Sequence, residues 1–139
     1  MTQDIKKHNK EVVQDGIRYS INEDDFTASI IYGRSLTGDI IIPRSITYKS
    51  NEYIVKSISS HSFQNSKIRS VSFAPDSSII SFEKGAFYNS AIERVSIPYR
   101  LTKICQHAFE FCGHLNEINI PSNSELQTIE EYAFTCTSF

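Results

Sequence analysis

The chain has 139 residues, 40% of them hydrophobic and 22% charged, with a formal net charge of −2. That is one domain of ordinary globular composition, and its slightly acidic balance offers no basic field for a phosphate backbone, which argues against nucleic acid as a partner. No window approaches the roughly 18 consecutive apolar residues of a transmembrane helix.

Residues 1–11, Met-Thr-Gln-Asp-Ile-Lys-Lys-His-Asn-Lys-Glu, are polar and lack the apolar stretch of a secretory signal. They are expected to form a disordered tail, and by sequence the protein is expected in the cytoplasm. Residues 12–54 read as a cap with a first strand. Ile17, Tyr19 and Ile21 alternate, Asn22-Glu23-Asp24-Asp25 is turn-like, and Ala28, Ile30 and Tyr32 alternate again, which predicts a β-hairpin. Ile40-Ile41-Ile42-Pro43 then predicts a strand ended by proline, which has no N–H to donate. Ile46-Thr47-Tyr48 and Tyr53-Ile54-Val55 flank the polar turn Lys49-Ser50-Asn51-Glu52, a second hairpin.

Residues 55–139 repeat. Phe63, Phe87, Phe109 and Phe134 are separated by 24, 22 and 25 residues. Each is preceded by Ser or Ala, five residues earlier by Ile58, Phe82, Ile104 or Ile129, and eight earlier by Val55, Ile79, Leu101 or Leu126. Downstream come Ile68, Ile92, Leu115 and Phe139, then the alternating pairs Val71/Phe73, Val95/Ile97 and Ile118/Ile120, then Pro75, Pro98 and Pro121. The alternating segments predict short strands. The stretch through each phenylalanine predicts a single helical or 3₁₀ turn. One such coil cannot bury its own apolar face, so the coils stack with their strands in a parallel sheet. The last copy stops before its strand, which leaves its end unsealed.

The pattern φ-x-x-φ-x-x-x-[Ala/Ser]-Phe-x-[Asn/Cys]-x-x-φ-x-x-φ-x-φ-Pro, clearest from Leu101 to Pro121, resembles the BspA-type leucine-rich repeat, and Asp15–Ile21 with Gly38–Pro43 resembles that family's lead-in. The resemblance covers about residues 12 to 139. It implies a mainly β leucine-rich-repeat solenoid, with parallel strands on the concave face, 3₁₀ or short helical turns on the convex side and an N-terminal β-hairpin cap. It also implies a role in adhesion or recognition of a host or partner protein, with display at the cell surface.

The residues offer little catalytic chemistry. No phosphate loop, nucleophile elbow or HExxH motif occurs. His61 and His107 share a repeat position filled elsewhere by Gly85 and Tyr132. A metal needs three or four convergent ligands, so these histidines are expected on exposed convex turns. Cys105 lies close to His107, but nothing supplies an orienting acid or oxyanion hole. Cys112 and Cys136 are aligned with Asn65 and Asn89, as small side chains bonded to turn backbone, or as a disulfide if their separation fits. The odd count of three cysteines argues against a disulfide framework. Glu23-Asp24-Asp25 lacks the spacing of a calcium loop. No catalytic residue, metal or cofactor is expected.

The candidate site is the outer face of the strand–proline sheet: Asp39 and Ile41, Ser70 and Ser72, Arg94 and Ser96, Glu117 and Asn119. In register these residues make a polar ridge for a protein partner, with Arg94 expected to be mostly neutralised between Glu93 and Glu117. The expected function is a non-enzymatic protein-binding module. The alternative is a structural subunit that joins a larger assembly, or a second copy, through the uncapped C-terminal repeat.

Overall fold

The structure, a computed structural model, describes residues 9–139, so most of the expected tail lies outside the described residues. The tail's last residues, 9–11, lie instead in β1 (Asn9–Gln14), which pairs antiparallel with β2 (Ile17–Asn22). Asp15 and Gly16 both have positive φ, 52° and 80°, the two-residue geometry that matches strand twist in a tight hairpin. β1 escapes the alternation test because Val13 faces solvent and only Val12 packs on the core.

The first predicted hairpin is β2 with β3 (Thr27–Tyr32), and the second is β5 (Ser45–Tyr48) with β6 (Asn51–Ile58). Tyr19, Ile21, Ile30, Tyr53 and Val55 alternate inward from these strands and close the first end of the core.

From there each coil contributes one strand to each of two parallel ladders. The predicted strand–proline segments are β4 (Thr37–Ile42), β7 (Lys67–Phe73), β9 (Arg94–Ser96) and β11 (Glu117–Asn119). They form one sheet in the order β11-β9-β7-β4. The second ladder runs through β3, β6 and the two-residue strands β8 (Ser81–Phe82), β10 (Lys103–Ile104) and β12 (Thr128–Ile129). The core lies between the two. No helix of the described residues is long and apolar enough to cross a membrane.

The expected helical or 3₁₀ turns are absent among the described residues. In the first coil the amides of Ser62, Gln64 and Ser66 donate to the carbonyls three residues back, while those of His61, Phe63 and Asn65 donate to Lys84, Ala86 and Tyr88 of the next coil. A 3₁₀ helix needs consecutive right-handed residues. Here His61 (φ 60°) and Asn65 (φ 63°) are left-handed, and so are Gly85, Asn89, His107, Phe111, Tyr132 and Cys136 at the same two positions of later coils. The left-handed residues flatten the turn so that every second amide points along the solenoid axis and bonds coil to coil.

The phenylalanine column sits inside these turns as a stack. Centroids are 5.2 Å apart for Phe63–Phe87, 4.9 Å for Phe87–Phe109 and 5.2 Å for Phe109–Phe134, with planes within 7° of parallel. Gly33 closes the first end, since a Cβ there would lie 2.2 Å from the Phe63 ring.

Candidate functional site

Strand pairing brings the eight predicted outer-face residues together in two rows. Asp39 pairs with Ser70, Ser70 with Arg94 and Arg94 with Glu117; two residues further on, Ile41 pairs with Ser72 and Ser96 with Asn119.

Their electrostatics are more local than the sequence suggests. The Arg69 guanidinium grips Asp39 through two bonds, Nε–Oδ1 at 3.1 Å and Nη2–Oδ2 at 2.9 Å, and the Ser70 hydroxyl donates to Oδ1 at 2.8 Å. The Arg69 bonds, then the Ser70 bond, pull the Asp39 carboxyl down to a pKa of about 2, although the group is exposed. Arg94 reaches the same carboxylate at 3.8 Å and Glu93 at 3.7 Å. Among the described residues it makes no ion pair with the expected Glu117, which instead accepts from Asn119 Nδ2 at 3.2 Å. Much of the ridge is therefore tied within itself. Ile41, 72% exposed, is the apolar side chain of the ridge that stands open to a partner.

Arg69 belongs to the same cluster and was not predicted, whereas the pairing of Arg94 with Glu93 was expected. The register slips between Gly38 and Asp39, so Asp39 meets Ser70 while Gly38 meets Ile68, and Arg69 is left as the extra residue of a bulge. The positive φ of Gly38, 72°, marks the place. A glycine just ahead of a strand is the one sequence signal for it.

The other candidates settle individually. His61 is exposed, but His107 is half-buried, in contact with Glu110 through Nδ1 and stacked on Tyr132 at 5.3 Å. Among the described residues no three His, Cys, Asp or Glu side chains are grouped as a metal ion requires. Cys105 is buried, and desolvation, then Glu83 and Glu130, pushes its thiol pKa up. That is the opposite of an activated nucleophile. The expected alignment of Cys112 with Asn65 and Asn89 is corrected. Cys112 falls in the buried column of Ser66 and Ser90, its Sγ 3.0 Å from the Phe87 carbonyl and 3.4 Å from Ser90 Oγ. Cys136 alone shares the Asn65/Asn89 position, which is exposed, and all three thiols are free. In the acidic turn, Asp25 Oδ1 accepts from the Thr27 amide and hydroxyl, an ordinary turn role.

A solenoid of stacked 22- to 25-residue coils with a strand–proline ladder and a phenylalanine stack is a leucine-rich-repeat protein. The model of the BspA type leucine rich repeat region matches residues 39–139 in six copies. A leucine-rich repeat protein from Bacteroides capillosus is 30% identical with a TM-score of 0.76, the match covering 92% of each chain. The chain belongs to the BspA-type leucine-rich-repeat family, a common scaffold for protein interaction and adhesion. Two further structures share the fold: the pneumococcal vaccine antigen PcpA (19% identity, TM-score 0.71) and a T. pallidum leucine-rich repeat protein (18%, 0.58). Those matches cover 92% and 91% of this chain. The chain spans 42% of the pneumococcal antigen and 68% of the T. pallidum protein. No curated protein matches the sequence.

Proposed function

We propose that this protein is a non-enzymatic binding module that recognises a protein partner, in adhesion or host recognition at a cell surface, through the outer face of the β4-β7-β9-β11 sheet. The observation that carries this reading is the register of the four strands, which lines up Asp39, Ser70, Arg94 and Glu117 in one row and sets the exposed Ile41 beside Ser72 at its edge. A rigid, pre-paired ridge of this kind loses little side-chain entropy on docking. The surface location is carried over from what the family resemblance implies. The test is Arg94→Glu combined with Asn119→Arg. Both side chains are partly or fully exposed, so the thermal melt should hold while capture of surface-protein partners in pull-downs falls. Capture at the wild-type level would remove this face from consideration.

A second reading, assembly with another copy through the last coil, is favoured by the exposure of Ile129 (53%) in the edge strand β12 and of Phe139 (63%), which packs on Phe134 of the same coil. It requires Ile129→Asp to abolish self-association in light scattering, and a wild-type chain that stays monomeric at high concentration would sink it.

A further inference from the structure

A groove of about 470 Å³ runs along the solenoid where each turn enters the strand–proline ladder, away from the ridge just described. Its floor is built by two stacked asparagines. Asn89 Nδ2 donates to Asn65 Oδ1 at 2.8 Å, and both residues are exposed at left-handed positions. Each amide has two donor and two acceptor positions. That one bond leaves Asn65 Nδ2 as a donor and Asn89 Oδ1 as an acceptor on neighbouring coils. Ser66 also lines the groove, and its hydroxyl is buried without a hydrogen-bond partner among the described residues. Native structures rarely leave such a group unmet.

The third coil closes the groove and gives it an apolar wall. Its connection from Phe109 to Leu115 is one residue longer than the corresponding step in the first two coils, and Phe111 takes the asparagine position. The Phe111 ring is half-exposed and held edge-on by Tyr88 at 5.6 Å and 83°. Lys67 and His114 complete the rim, and no carboxylate lines the groove in a protein whose net charge is −2.

From this arrangement we infer that the groove binds an acidic saccharide. Vicinal hydroxyls of a sugar both donate and accept, which the Asn65–Asn89 pair answers. The C–H face of a pyranose carries the partial positive charge that the negative face of the Phe111 ring attracts. A sugar carboxylate meets the Lys67 ammonium in a groove free of competing acids. The inference does not rest on the proposed protein-binding ridge, because none of the ridge residues lines the groove.

The test is an amide-resolved NMR titration of the full chain with a galacturonate trimer and with a neutral galactose trimer, followed by a panel of glucuronate- and sialate-bearing oligosaccharides. Shifts should centre on Asn65, Asn89 and Phe111, and an acidic sugar should bind more tightly than its neutral counterpart. Phe111→Gly is the decisive variant. Phe111 holds a left-handed φ of 62°, so the strain that glycine relieves offsets part of the lost Tyr88 contact and the chain stays folded, while affinity falls at least about tenfold. Lys67→Gln should erase the preference for the acidic sugar and leave the melt unchanged. The inference is overturned if no acidic member of the panel binds, if the shifts lie outside the groove, or if Phe111→Gly binds as well as the wild type.

Discussion

Ile104 and Ile129 hold the same repeat position, yet Ile104 is 1% exposed and Ile129 53%. The pattern recurs along the strand ladder, where Ile97 is buried and its counterpart Ile120 is 54% exposed. Interior and last coils thus have the same apolar columns and different burial. An interior coil packs against neighbours on both sides, whereas the last coil packs on one. The comparison shows that a repeat position specifies a place in the stack, while burial comes from the adjoining coils, as the nearest-neighbour view of solenoid stability requires.

The largest expected effect sharpens this contrast. Phe109 is wholly buried between Phe87 and Phe134, and Phe82 meets it edge-on at 6.0 Å. Phe109→Ala should cost roughly 3–5 kcal/mol, the range for truncating a buried aromatic. Phe134 stacks on one side only and meets Phe139 edge-on, so Phe134→Ala should cost about 1–2 kcal/mol, in proportion to its smaller loss of apolar contact. Urea denaturation of both variants measures the difference. Equal losses would mean that the last coil is as well packed as the interior.

A smaller effect probes the turns that bond interior coils together. Gly85 has a φ of 63°, and a Cβ there would lie 2.6 Å from the His61 imidazole. Gly85→Ala should therefore cost about 1–2 kcal/mol through backbone strain and displacement of His61. Gly113, in the lengthened third connection, has open space where its Cβ would be, so Gly113→Ala should stay within about 0.5 kcal/mol of wild type. Thermal melts on the two single variants decide it, and a neutral Gly85→Ala would show that the left-handed turn geometry is not required.

These cases also mark how far the sequence can be read. The phenylalanine column, the strand–proline segments and both predicted hairpins follow from spacing alone, because core positions recur wherever coils stack. The eight ridge residues were legible for the same reason, since alternation about Ile40, Val71, Val95 and Ile118 fixes which side chains point outward. Arg69 was not legible, because its place on the ridge depends on a one-residue slip at Gly38 that leaves the columns intact. Cys112 was misaligned because the third connection is one residue longer, which counting back from Leu115 conceals. The second ladder was invisible because β8, β10 and β12 have two residues each, too few to show a period. Left-handed backbone at Phe111 and Tyr132 has no local signature, since bulky aromatic residues seldom adopt it.

The smallest effect concerns the opposite end of the strand ladder, where β4 meets β7. Arg69 and Ser70 hold the Asp39 carboxyl near a pKa of about 2, below its ordinary 3.8. As pH falls, the unfolded chain therefore takes up this proton before the folded one does. The stabilisation is fully present above about pH 4 and is lost as pH falls toward 2. The pair is exposed, so its contribution is small and screened by salt. Asp39→Asn should leave a shallower loss of melting temperature between pH 4 and pH 2 than the wild type shows, and the gap should narrow in high salt. At the other end of the ladder, Asn119 links β11 to β9 through Ser96 Oγ at 3.5 Å, a contact without ionisable groups. Ser96→Ala, which removes this contact alone, should accordingly shift the melt by the same amount at every pH. If the Asp39→Asn and wild-type curves run parallel across this window, the Arg69–Asp39 bond does not couple the first coil's strand pairing to pH.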